Sequence, residues 1–225
     1  QQIRLLGLLY KGKPADTTEI KEWAASPSYY RKRTLLRILP IAVTVINFLC
    51  ISLAILGIIS ANIAGGVFVS FVLFSTIFSK GITKLQTTYG EKLQILSTYA
   101  DQILLTEQKE MHSHILQELK TDLTSQNQTA SQAVRQLSKL MNALDQRSNL
   151  LMSTILNGLI FWELRQVMRI EKWKEIHASD LPRWIETIGE IDAYCSLATF
   201  AYNHPDYIYP TIAAQSFHLQ AEALG

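Results

Sequence analysis

From Ile38 to Ser79 the chain carries no Asp, Glu, Lys, Arg or His. A bilayer core takes roughly 20 apolar residues per helical span, so the run is long enough for two. Near its middle stands Ser60-Ala61-Asn62, with Gly65-Gly66 just after, and that cluster predicts a turn. The expected spans are about Ile38 to Ser60 and Ile63 to Ile82. The turn between them is too short to hold a domain on the far side. The competing reading is an apolar hairpin buried in a soluble protein, but a soluble helix keeps a polar face and this run has none. It is also too long, and too far from the start, for a signal peptide.

The flanks predict an orientation. Arg31, Lys32, Arg33 and Arg37 precede the run, and Lys80 and Lys84 follow it. Lys and Arg favour the cytoplasmic side, which puts both chain ends in the cytoplasm and the hairpin in the inner membrane. Asn47, midway along the first span, is expected to hydrogen-bond to a partner helix or to pack on the second span.

Elsewhere the composition is even. A net charge of +2 is not the concentrated cationic surface of a nucleic-acid module. The two cysteines, Cys50 and Cys195, lie in helical patterns and are expected to stay reduced. The chain starts at Gln1 and stops at Gly225 in mid-pattern, so we read it as a piece of a longer protein.

Before the run, Asp16-Thr17-Thr18-Glu19 matches a capping box. Ser26-Pro27 offers a cap with proline at the first helical position. These predict short cytoplasmic helices. The cluster Arg31-Lys32-Arg33 could meet the phosphate of DNA or of lipid, and its place beside the first span favours lipid.

After the run, no glycine or proline occurs between Gly90 and Gly158. Apolar residues recur at helical spacing through Leu93, Leu96, Tyr99 and Ile103, then Met111, Ile115, Leu119 and Leu123. A second series runs from Val134 through Leu137, Leu140 and Leu144 to Leu151, Ile155 and Leu159. The polar patch 124–129 between them predicts the tip of a helical hairpin with arms of roughly 45–60 Å. A further helix has Ser179 or Asp180 as cap, Pro182 in its first turn and Asn203-His204-Pro205 as its stop. Its stripe is Ile185, Ile188, Ile191, Cys195, Ala198 and Tyr202.

Catalytic signatures are missing from the sequence. There is no G-x-x-x-x-G-K-[ST], no H-E-x-x-H and no C-x-x-C. His112 and His114 are expected at a solvated surface, as is the group Glu107, Glu110 and His114. Arg135, Lys139 and Arg147 fall near one helix face, where a DNA backbone contact competes with a solvated face. Phe161-Trp162-Glu163 reads as packing.

The stretch Ile188-Gly189-Glu190-Ile191-Asp192-Ala193-Tyr194-Cys195-Ser196-Leu197-Ala198 resembles the end of the core domain of MutS-type proteins, where the family shows Leu/Ile-Asp-x-x-x-Ser-Leu-Ala. The aromatic and proline that follow in the family are echoed by Tyr207, Tyr209 and Pro210. The family then opens its ATPase domain with a Gly, His and Pro motif, where this chain ends. The close likeness spans Leu181 to Gly225, and the long arms are similar in kind to the family's lever helices. The hairpin looks like that of a MutS-related transmembrane subgroup.

The resemblance implies an all-α segment: cytoplasmic helices over 1–37, a transmembrane hairpin over 38–83, and a lever and core domain over 84–225. It implies ATP and magnesium in a following domain and none here, a homodimer through that domain, and DNA as a partner. Ile188, Ile191, Leu197 and Ala198 would form the base of the core, with Asp192 in a buried polar or capping contact. The family's Phe-x-Glu lies in a separate N-terminal domain, so Phe161 and Glu163 inherit no role. On this reading the segment is a non-catalytic anchor and lever of a DNA-repair-type ATPase. The alternative, without the resemblance, is a membrane-tethered helical signalling or scaffolding protein with no ATPase.

Overall fold

The computed structural model describes residues 17–124, 128–145 and 150–207, and for 91–98, 145 and 150 the backbone only. Among the described residues every regular element is a helix: α1 Thr17–Ala25, α2 Thr34–Ile55, α3 Ala61–Gln108, α4 His114–Asp122, α5 Ala130–Asp145, α6 Leu150–Ile160, α7 Trp162–His177 and α8 Asp180–Asn203. The expected Asp16 cap lies outside them.

Helices α2 and α3 contain stretches long and apolar enough to cross a membrane, over Thr34–Ile55 and Ala61–Gly90, and both stay largely unburied by the rest of the chain. Ile41, Val45, Leu49 and Leu73 all point outward. That exposure separates the pair from a soluble core, which would cover such side chains.

The turn between them falls earlier than Ser60. Gly57 adopts φ 73°, and it ends α2 in a Schellman arrangement. Its N–H reaches Ala54 O at 3.1 Å, and the Ile58 N–H reaches Leu53 O at 3.0 Å. A left-handed residue is nearly free only for glycine, so Gly57 sets the boundary, while Gly65 and Gly66 lie inside α3. The expectation for Ser26-Pro27 also fails. Ser26 closes α1, its N–H bonding Glu22 O and its Oγ donating to Trp23 O at 2.7 Å, and no helix opens until Thr34.

Helix α3 continues without interruption for 48 residues, about 72 Å at the usual rise. Gly90 and the boundary expected near residue 83 leave no break in it. The first arm does end early, at Gln108, and α4 is a separate helix of 9 residues. Thr124 and Thr129 pair across the expected tip. Helix α5 then returns along α3. Glu107 caps its start by accepting from Ser131 N–H at 3.0 Å and Ser131 Oγ–H at 2.6 Å. Arg135 meets Asp101 at 2.7 Å. Helix α6 lies farther back along α3, so the returning chain runs antiparallel to it.

Helix α7 occupies the centre. Trp173 stacks on Trp23 and donates from Nε1 to Ala133 O at 2.8 Å, tying α1, α5 and α7 together. Helix α8 packs by Leu181, Trp184, Ile188 and Ile191, all buried. Past Ile191 it touches the core by the half-buried Cys195, and Leu197, Phe200 and Tyr202 are 65%, 54% and 76% exposed. It ends at Asn203, as the Asn203-His204-Pro205 signal predicts. Ser179 makes no side-chain cap, because its backbone is already helical and it passes α7 into α8.

Candidate functional site

Two polar clusters stand where apolar helices meet the helical body. The deeper one begins with α6, whose span from Leu150 to Ile160 holds no charged residue. Gly158 faces α3 so closely that a Cβ there would lie 2.4 Å from Phe68 and 2.5 Å from Val72. Small residues permit such approaches between helices. Asn47 of α2 is buried against the same end of α6. Its Nδ2 lies 2.9 Å from Gly158 O and 3.3 Å from Leu159 O, and it also reaches Val43 O at 3.1 Å. It thus serves carbonyls that the α6 C-terminus leaves open. The hydrogen bond to another helix expected of Asn47 is found, and the helix is α6 and not the second span.

The chain then reverses at Phe161, which holds φ 51° and ψ 51°. A bulky residue in the left-handed region is strained by about 1–2 kcal/mol. The ring sits among Phe71, Phe74 and Phe78, with centroids 6.1–6.3 Å away. Past the reversal, Arg165 donates to Ile160 O at 2.8 Å, Pro40 O at 2.9 Å and Thr44 Oγ1 at 2.6 Å. Pro40 and Thr44 lie early in α2, so α6 and the start of α7 form a helical hairpin that reaches only to the middle of the apolar pair. Glu163 is buried beside it. Its carboxylate accepts from Ser153 Oγ at 2.9 Å, and its N–H donates to Asn157 Oδ1 at 3.0 Å. Leu151 and Ile155, which continue the second apolar series in the sequence, face outward.

Gly158→Leu tests the crossing. Four added carbons must displace Phe68, Val72 or α6 itself, and overpacking of this kind costs about 1–3 kcal/mol. The expected result is a lowered unfolding midpoint in detergent, partly restored by Phe68→Ala. No restoration would mean that the two helices do not touch there.

The shallower cluster surrounds Glu171 of α7. Its carboxylate accepts from three successive backbone N–H groups, those of Tyr29 at 2.7 Å, Tyr30 at 3.0 Å and Arg31 at 2.7 Å. Arg31 Nε also meets Glu175 at 2.8 Å. The segment before α2 is thereby fixed to α7. Tyr30 is buried, and its hydroxyl occupies the space a Cβ at Gly81 would fill. Burial, with the nearby Glu171 carboxylate, raises its phenol above the usual range. Lys174 lies over the Trp23 ring and reaches Ser26 Oγ at 3.0 Å. Its burial lowers its pKa, while Glu171 and Glu175 oppose the shift. Between these groups and α3 opens a cleft of about 720 Å³.

His177 ends α7 between Trp173 and Trp184, with ring centroids at 5.0 and 5.6 Å. Its Nδ1 is buried without a partner. Burial holds its pKa below 6.5, with Asp180 pulling the other way. The unfolded chain therefore binds a proton that the folded chain refuses. Stability is full above pH 6.5 and falls as the pH drops from there toward the lowered folded value. Denaturation midpoints across pH 5–8 should show this slope, and His177→Gln should flatten it. An equal slope in the variant would assign the effect to another group.

The residues singled out in the sequence fare unevenly. Arg135 and Lys139 are both exposed on α5, Arg135 paired to Asp101, and Arg147 lies outside the described residues. Ile188 and Ile191 are buried, whereas Asp192, Leu197 and Ala198 are exposed. Asp192 is exposed because it lies off the helix face through Ile191 and Cys195 that packs on the core. Glu107 is a helix cap, not one of a solvated trio with Glu110 and His114. Both cysteines are free. Among the described residues no group of three or more His, Cys, Asp or Glu side chains is placed to hold a metal ion. Comparisons with protein-family models, with curated proteins and with solved structures give no match.

Proposed function

We propose that this chain is the membrane anchor and lever of a MutS-like ATPase, transmitting motion between a motor that follows it and a helical body held at the bilayer. The observation that carries the reading is α3, a single helix of 48 residues that begins in the apolar pair and ends at Gln108 beside the α5 cap. A stiff rod of that kind moves as one body. The free end of α8 supports it too. That end holds most of the stretch resembling the MutS core, and Leu197, Phe200 and Tyr202 offer an uncovered apolar surface to a following domain. On this reading α2 and α3 cross the inner membrane with both chain ends cytoplasmic, ATP and magnesium bind in the motor, and the motor forms the dimer. The short tip between Thr124 and Thr129 leaves little to grip DNA.

The full-length protein tests this. Its coding sequence after Gly225 should carry a His-Pro pair and then G-x-x-x-x-G-K-[ST] within roughly a hundred residues. Proline at Leu137, fully buried in α5, removes a helix hydrogen bond and clashes with the preceding turn. Leu137→Pro should leave ATP turnover in place and abolish ATP-dependent distance changes between labels at Thr129 and Asp192. Unaltered distance changes would end the lever reading. A coding sequence with no nucleotide motif would leave a membrane-tethered scaffold.

A further inference from the structure

We propose that the cleft between the pre-α2 segment, α3 and α7 binds an anionic phospholipid, with the phosphate among Arg33, Lys84 and Lys174 and one acyl chain along Leu36, Ile77 and Phe78. The inference rests on the reading of α2 and α3 as membrane helices and adds a specific ligand to it.

Charge comes first. Lys21, Arg31, Arg135 and Arg183 each face a carboxylate, namely Glu186, Glu175, Asp101 and Asp122. Arg33, Lys84 and Lys174 line one cleft; Arg33 and Lys84 face no carboxylate among the described residues, and Lys174 lies near Glu171 and Glu175 and donates to Ser26 Oγ at 3.0 Å. Arg33 rests on the Tyr29 ring, 4.8 Å from its centroid, and Lys174 rests on Trp23. The carboxylate in the cleft wall, Glu171, is already engaged by three N–H groups. Two cations without a carboxylate partner, Arg33 and Lys84, therefore line the cleft beside Lys174, and an anion would complement them.

Shape and polarity narrow the anion. About 720 Å³ is within the range of small-molecule sites and exceeds what a bare phosphate fills. One wall is cationic and aromatic. The other is apolar and continuous with the outward faces of α2 and α3, where Leu35, Ile38 and Ile77 are 83%, 56% and 66% exposed. Tyr29, 58% exposed, stands at the junction, as an aromatic side chain does at a headgroup level. A ligand matching both walls has a phosphate at one end and a hydrocarbon at the other. Basic pockets between membrane helices on the cytoplasmic side recognise headgroups by this chemistry.

The test is a thermal melt of the full chain in neutral detergent micelles doped with phosphatidylglycerol, with phosphatidylcholine, or with soluble glycerol phosphate. Phosphatidylglycerol should raise the melting temperature by about 3–6 °C at roughly ten times its dissociation constant, and the other two should not. Arg33→Gln with Lys84→Gln, both at exposed positions, should fold normally and lose the shift, while Lys139→Gln should keep it. Equal shifts from both lipids, or a shift that survives the double variant, would overturn the proposal. A full shift from glycerol phosphate would also overturn it, by reducing the site to one for free phosphate. A carbonate wash of membranes separates the two layers of inference. Release of the chain would remove the membrane reading, whereas a chain that stays but lacks the lipid-specific shift would remove only the cleft.

Discussion

Glu171→Ala should destabilise the protein by about 3–4 kcal/mol and open the segment before α2 to protease. Each of the three backbone N–H groups now bonded to the carboxylate loses a charged acceptor, and such bonds contribute about 1.5–3 kcal/mol apiece. They share one side chain, and water reaches those of Tyr29 and Arg31, so the sum falls short of three full bonds. Glu171→Gln is the sharper probe. Its carbonyl can still serve Tyr29 and Tyr30, but its amide would turn a donor toward the Arg31 N–H, so an intermediate loss is expected. Trypsin reads the local effect, because Arg31, Lys32 and Arg33 lie in the released segment. Cleavage there should accelerate well before global unfolding. Equal cleavage of wild type and Glu171→Ala would show that the segment is held by something else.

Phe161 gives the second large effect, and its sign pattern is unusual. Removing the ring empties the space among Phe71, Phe74 and Phe78. Truncating a buried phenylalanine to alanine costs about 3–5 kcal/mol in aqueous cores, and if α2 and α3 lie in lipid, itself apolar, Phe161→Ala should cost about 2–3 kcal/mol. Phe161→Gly removes the same ring and also relieves the left-handed backbone. Glycine should therefore be more stable than alanine by about 1 kcal/mol, the reverse of their order inside a helix. Detergent-denaturation curves of the two variants check it. Alanine at or above glycine would mean that the φ of 51° is not held in the native protein.

What the sequence made legible was local. The charge-free run marks α2 and the start of α3 by composition alone, and His204-Pro205 stops α8 within a single turn. Helix α6 is different. Its apolar residues share the helical period of a packed arm, which is how the series Leu151, Ile155 and Leu159 reads. The distinguishing signal is the loss of charge between Arg147 and Glu163, too short for a span and easily absorbed into an arm. Helix α7 left no stripe to find, because it buries Glu163, Gln166, Glu171, Lys174 and His177 along with its apolar residues. The contacts that define both clusters join residues far apart in the chain, Asn47 with Gly158 and Tyr29 with Glu171. No local pattern encodes such pairs. For α8, the same buried Ile188 and Ile191 that look like a core base are followed by residues whose environment depends on whatever covers the helix end.

The half-depth hairpin at Gly158 and Phe161 has a mechanical consequence if α2 and α3 cross a bilayer. In the leaflet nearer the basic flanks, α6 and the start of α7 add their cross-section to that of α2 and α3. In the other leaflet α2 and α3 stand alone with a short turn. The anchor is then a wedge, broad on one side and narrow on the other, and each copy expands one monolayer more than its opposite. Such a shape loads the membrane asymmetrically and gives the protein a preference among surfaces of different bend, independent of anything its soluble helices bind.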